Sequence, residues 1–143
     1  MNDRKKGFFW ETVEGKIKPS PARQLLGWKL LDLDTDAGYI KVEFQARQEF
    51  LNPMGKVQGG LLSAMLDNTL GPLIAAKLEA GKFATTLELK TSFIKPADVG
   101  SLIGEGHIVG YGRSICFTEG ELKDPEGNLI AKASATMLIV NYS

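Results

Sequence analysis

The most constraining feature of this sequence is a segment, residues 61–74, that is apolar on nearly every side. Leu61, Leu62, Met65, Leu66, Leu70, Leu73 and Ile74 recur at three- and four-residue steps, the period of an α-helix. Ala64, Ala75 and Ala76 favour the same state. A helix without a broad polar face has to be buried on most sides, so the rest of the chain must cover it. Gly71-Pro72 is expected to kink or split the helix, and Gly81 to close it.

The remainder reads largely as strand. Leu26, Trp28 and Leu30, with Leu31 and Leu33 beyond, suggest a first strand, ended by the turn composition Asp34-Thr35-Asp36-Ala37-Gly38. Ile40, Val42 and Phe44 then alternate with Tyr39, Lys41 and Glu43, a half-buried strand of period two. Asn52-Pro53 and the nearby glycines mark residues 50–60 as a loop. After Gly81 the alternation predicts four strands, over residues 85–94, 101–111, 114–122 and 129–140. Gly112-Arg113 and Asp124-Pro125-Glu126-Gly127-Asn128 supply turns between them. Gly104 and Gly106 on one strand, and Ala131, Ala133 and Ala135 on another, leave room for something bulky against one face. Two strands, one helix and four strands with short connections imply an α+β fold in which an antiparallel sheet curls around the helix.

At 143 residues the chain has the size of one domain. Residues 1–24 read as a lead-in and 25–143 as the domain. Residues 1–6 are expected to be mobile. Phe8, Phe9 and Trp10 are too apolar to leave in water and are expected to pack on the body or on a partner subunit. Pro19 and Pro21 are expected to break any helix there. Lys plus Arg equals Asp plus Glu at 17 each, so there is no basic excess of the kind a nucleic-acid partner calls for. The longest run without Asp, Glu, Lys or Arg, residues 133–143, is about half of the roughly 20 residues a membrane span needs. Gly7–Trp10 is too short an apolar run for a signal peptide. The single Cys116 permits no internal disulfide, which fits the cytoplasm, and with the single His107 it cannot build an ordinary zinc site. No metal or other cofactor is expected.

One stretch could carry chemistry. Gly59-Gly60 falls where the helix begins, and a helix N-terminus offers free backbone N–H groups and a partial positive charge. Two glycines let a ligand oxygen approach those donors closely, the geometry of an oxyanion hole. Asn52 offers a donor and an acceptor nearby. Asp67 is a carboxylate among core-like neighbours. It either faces solvent, bonded to Asn68 or the Thr69 hydroxyl, or serves as a general base or nucleophile. His107 reads as exposed or structural, and Cys116 as a buried small thiol. Gly104, Gly106, Gly110 and Gly112 form no dinucleotide fingerprint, and Gly55-Lys56 no phosphate loop.

Asn52, then Gln58-Gly59-Gly60, then Asp67 resembles the motif of hotdog-fold acyl-CoA thioesterases of the phenylacetate-degradation type, with matching spacings. Thr85-Thr86-Leu87-Glu88-Leu89-Lys90-Thr91-Ser92-Phe93-Ile94-Lys95-Pro96-Ala97, Gly112-Arg113 and the Asp-Pro-Glu-Gly turn before an alanine-rich strand extend the resemblance over roughly residues 25–140. It implies an antiparallel sheet wrapped around one helix, and a homodimer, often paired into a tetramer. It implies an acyl-CoA substrate, coenzyme A being part of the substrate and not a cofactor. The thioester carbonyl would bind the Gly59 N–H beside Gly60, and Asn52 would position substrate or water. Asp67 of the neighbouring subunit would be base or nucleophile, with the Thr86 hydroxyl assisting the water and Thr85 beside it. Lys90, Lys95 and Arg113 would stand near the coenzyme phosphates. Gln58 occupies the place where the family commonly has His. Gln keeps a donor and an acceptor but cannot titrate. A non-catalytic hotdog protein that binds acyl-CoA is the alternative. A hotdog dehydratase is disfavoured because the sole His107 is in the wrong place.

Overall fold

The computed structural model describes residues 7–142. Its centre is helix α3, Gly59–Ala75, with Leu62, Met65, Leu66, Thr69, Leu70, Pro72, Leu73 and Ile74 all buried. Of the two outcomes expected of Gly71-Pro72, a kink or a split, the split does not occur: α3 runs on to Ala75. Pro72 lacks the N–H that would bond the Asn68 carbonyl four residues back. That carbonyl instead accepts from the Trp28 indole N–H at 2.8 Å. The Trp10 indole donates in the same way to the Ala76 carbonyl at the helix end, at 3.1 Å. Two tryptophans from early in the chain thus satisfy carbonyls the helix cannot. Gly81 does not close the helix, which ends at its C-cap, Ala76. With φ +87° it turns the chain into the next strand.

Six antiparallel strands surround the helix: β1 Lys29–Asp34, β2 Tyr39–Ala46, β3 Lys82–Phe93, β4 Gly100–Tyr111, β5 Ile115–Lys123 and β6 Leu129–Asn141. Their order is β1-β2-β4-β5-β6-β3. Leaving the helix, the chain therefore enters an edge strand, β3, beside the last strand, β6. Strands β2 and β4 are tied at their ends as well as by the ladder. The Tyr39 hydroxyl donates to Glu105 at 2.9 Å, and burial together with that carboxylate pushes the phenol up to about 12.

The inner face is built from the small residues noted in the sequence. A Cβ on Gly104 would collide with Thr69 Oγ1, and one on Gly106 would come within 2.7 Å of Leu70. A Cβ on Gly120 would come within 3.0 Å of both Leu70 and the Glu105 carbonyl oxygen. Bare backbone at these positions lets the helix settle onto the sheet and bury Leu66, Leu70 and Leu73 completely.

The lead-in contains two short helices, α1 Phe8–Val13 and α2 Pro21–Leu25. Pro21 does not break α2 but opens it, because a first-turn residue has no intrahelical N–H bond to lose. Ser20 caps it, accepting from the Arg23 N–H at 3.3 Å. Leu26 caps α2 instead of starting β1. As expected, the aromatic segment packs on the body: Phe9 is buried, edge-on to Trp10 and Trp28, and Phe8 stacks on Tyr142. The expectation for residues 1–6 lies outside the described residues. Among those described, no helix is long and apolar enough to cross a membrane.

Candidate active site

The loop before α3 delivers its N-terminus to a groove. Asn52 Oδ1 accepts from the N–H groups of Met54 and Lys56, at 3.0 and 3.1 Å. The Asn52 N–H donates to the Lys56 carbonyl at 2.7 Å. Val57 and Gln58 are held to Ala97 and Phe50 by backbone bonds of 2.9 and 2.8 Å. Gln58 is the N-cap, its side chain exposed and making no cap bond. Its carbonyl accepts from the N–H groups of Leu61 and Leu62. The Gly59 and Gly60 N–H groups are left without an acceptor among the described residues. The groove beside them measures about 590 Å³; Asn52, Val57, Gly59, Leu62, Phe93 and Lys95 contribute to its walls.

The two glycines are not equivalent. A Cβ on Gly60 would meet nothing within 4 Å, whereas one on Gly59 would sit 3.1 Å from the Phe93 ring. Phe93, Lys56 and Leu62 belong to the groove and were not singled out from the sequence. The signal for Phe93 was present, since it ends the alternating run of β3 just before Ile94-Lys95-Pro96.

Asp67 lies elsewhere. It is half-buried, and its Oδ1 accepts from the Thr86 hydroxyl at 2.9 Å. Neither local partner considered for it is used: Asn68 Nδ2 donates to the Ala64 carbonyl and Thr69 Oγ1 to the Met65 carbonyl. Asp67 is eight residues beyond Gly59, about 12 Å along the axis at roughly 1.5 Å per residue. A carbonyl bound at Gly59 is therefore out of reach of the same chain's Asp67. Both groups nevertheless flank one edge strand: Thr86 stands toward one end of β3 and Phe93 at the other. Among the described residues no strand pairs with the outer edge of β3, along which Phe83, Leu87 and Phe93 are exposed.

The remaining residues are dispersed. Thr85 pairs with Leu138 and is exposed, one step out of phase with Thr86. Lys90 lines a separate dent of about 330 Å³ with Ser92, His107, Glu119 and Lys132. Arg113 is exposed between β4 and β5. Of the three cations proposed for the coenzyme phosphates, only Lys95 lines the groove. His107 is exposed, 3.6 Å from Glu119, and Cys116 is buried, where desolvation pushes its thiol up. Among the described residues, no three or more His, Cys, Asp or Glu side chains group as metal ligands would.

A long helix wrapped by six antiparallel strands is the hotdog architecture. The chain belongs to the thioesterase superfamily, whose family model matches residues 54–131, and to its phenylacetate-degradation-type branch. The solved structure of a phenylacetic acid degradation-related protein from Ralstonia eutropha JMP134 is 39% identical. It covers 92% of this chain and 99% of its own, with a TM-score of 0.88. Acyl-coenzyme A thioesterase 13 of Homo sapiens is 23% identical over 133 residues, 92% of this chain and 94% of that protein. A hypothetical thioesterase protein of Streptococcus pneumoniae TIGR4, solved with coenzyme A, is 23% identical. It covers 80% of this chain and 86% of its own, at a TM-score of 0.72.

Proposed function

We propose that this protein hydrolyses an acyl-coenzyme A thioester to the free acid and coenzyme A, at two equivalent sites shared between the subunits of a homodimer. The observation that carries the reading is the separation of its two halves along one free edge. Antiparallel pairing of two β3 strands about a two-fold axis would bring the Phe93 end of one strand beside the Thr86 end of the other. Gly59 of one subunit would then face Asp67 of the partner subunit.

In that arrangement the thioester oxygen accepts from the Gly59 N–H, with Gly60 adjacent, at the positive end of α3. Asp67, held by the Thr86 hydroxyl, takes a proton from water as the water adds to the carbonyl carbon. The tetrahedral intermediate collapses, the C–S bond breaks, and the proton passes to the departing thiolate. Asn52 Oδ1 is occupied by its own loop, so its Nδ2 is the end left to donate toward substrate or water. Lys95, which lines the groove, is assigned to a coenzyme phosphate; Lys56 in the same groove is paired with Asp98. Lys90 and Arg113 are given no part. Gln58 can donate or accept but does not titrate, so the mechanism assigns it no proton transfer. The named activity of the human relative and the coenzyme A in the Streptococcus pneumoniae structure support this substrate class. The unpaired Cys116 suits a reducing cytoplasm.

The test is thiol release from short, medium, long and aromatic acyl-CoAs. The parent is expected to turn over at least one, and Asp67→Ala to lower kcat/KM by about 10²-fold or more. A folded parent that hydrolyses none overturns the hydrolytic reading and leaves a protein that binds such ligands.

A further inference from the structure

The geometry points to Phe93 as the residue that selects the acyl group, excluding substituents on the carbon next to the thioester carbonyl. This rests on the carbonyl binding at Gly59, as proposed above.

Phe93 ends β3 and is paired with Ala131. The ring reaches across to the start of α3. Its Cζ, Cε1 and Cε2 atoms would lie 3.1, 3.2 and 3.5 Å from a Cβ on Gly59, so its tip abuts the helix. Gly59 has no positive φ, so its backbone conformation does not call for glycine. A side chain there would crowd the tip of the Phe93 ring, which would have to give by a few tenths of an ångström.

The consequence for a substrate is steric. An oxygen that accepts from the Gly59 N–H lies about 3 Å from that nitrogen. The carbonyl carbon and the first acyl carbon then fall beside the ring tip. A CH₂ group fits in such a place, whereas a second carbon on the same atom must displace the ring or give up the hydrogen bond. Farther along, Val57, Leu62 and Ile94 supply apolar surface for the rest of the chain. The substrates this site favours are therefore thioesters unbranched next to the carbonyl, such as straight-chain acyl groups. Isobutyryl and 2-methylbutyryl groups are disfavoured.

Paired thioesters test this directly: butyryl-CoA against isobutyryl-CoA, and pentanoyl-CoA against 2-methylbutyryl-CoA. The parent is expected to prefer the unbranched member of each pair by about 10-fold or more in kcat/KM, the usual scale for one misplaced carbon in a close-fitting pocket. Phe93→Ala is expected to reduce that preference to about 3-fold or less, mainly by raising the rate on the branched substrate. Phe93→Leu, which retains bulk at the strand end, should fall between them and serves if the alanine variant folds poorly. A preference unchanged in both variants, or a parent without one, overturns the assignment. If the parent hydrolyses no thioester, the proposed function fails separately. Calorimetric affinities for the same pairs then decide Phe93: a parent preference lost in Phe93→Ala upholds it, and equal affinities overturn it.

Discussion

The two ends of β3 carry two different kinds of interaction. Near one end, Thr86 makes a single directional bond to the Asp67 carboxylate. At the other, Phe93 presses an apolar ring against bare backbone at Gly59. The first arrangement fixes a charge, and the second shapes a space. Gly59 and Asp67 are eight residues, about 12 Å, apart along one helix. The proposed shared site divides the chemistry between these two ends and relies on a second copy to complete it.

Mixing two inactive variants would break or confirm that division most sharply. Asp67→Ala and Gly59→Val each disable one end. If sites are shared, unfolding and refolding the two together creates heterodimers with one intact site each. Activity should return to about a quarter of the parent value, half of the dimers carrying one working site of two. Activity no greater than that of the separate variants would place both halves of a site in one subunit. A smaller effect is expected at the polar end alone. Thr86→Val removes the bond to Asp67 and should lower kcat by about 10-fold with little change in KM, in line with a hydrogen bond to a charged group. A drop confined to KM would make Thr86 a binding residue instead. The smallest effect contrasts glycines that yield space to different neighbours. Gly104→Ala drives a Cβ into Thr69 and should cost about 1–3 kcal/mol in denaturant unfolding. Gly60→Ala meets open space within a helix and should leave stability equal or raised by up to about 1 kcal/mol.

Much of the fold was legible because burial writes itself into periodicity. The apolar spacing of residues 61–74 required a covered helix, and the alternation after Gly81 predicted strands within a few residues of β3 to β6. The alanine and glycine rows foretold close packing against one face. What failed were judgements about single residues. Gly71-Pro72 was expected to kink or split α3; it does not split it, and the Asn68 carbonyl that Pro72 leaves without a donor is taken up by a partner elsewhere in the chain. That partner, Trp28, is distant in sequence, so no local pattern could announce it. The helices of the lead-in were missed for a related reason. Pro21 breaks or begins a helix according to its position, which Ser20 as cap decided.

The site divides in the same way. Sequence alone determined which residue types stand at the start of the helix and which carboxylate follows, because motif spacing is a property of the chain. It also determined that one helix must be covered, since a helix apolar on nearly every side has to be buried, and that the cover is a sheet, since the runs around it alternate with period two. Only the tertiary structure decided that Thr86 meets Asp67, that Lys90 and Arg113 stand away from the groove, and that the Phe93 ring abuts Gly59. Each of these joins residues from different elements. Their meeting is set by strand order and by how closely the helix approaches the sheet, quantities that depend on the packing of the whole core and not on any local run of residues.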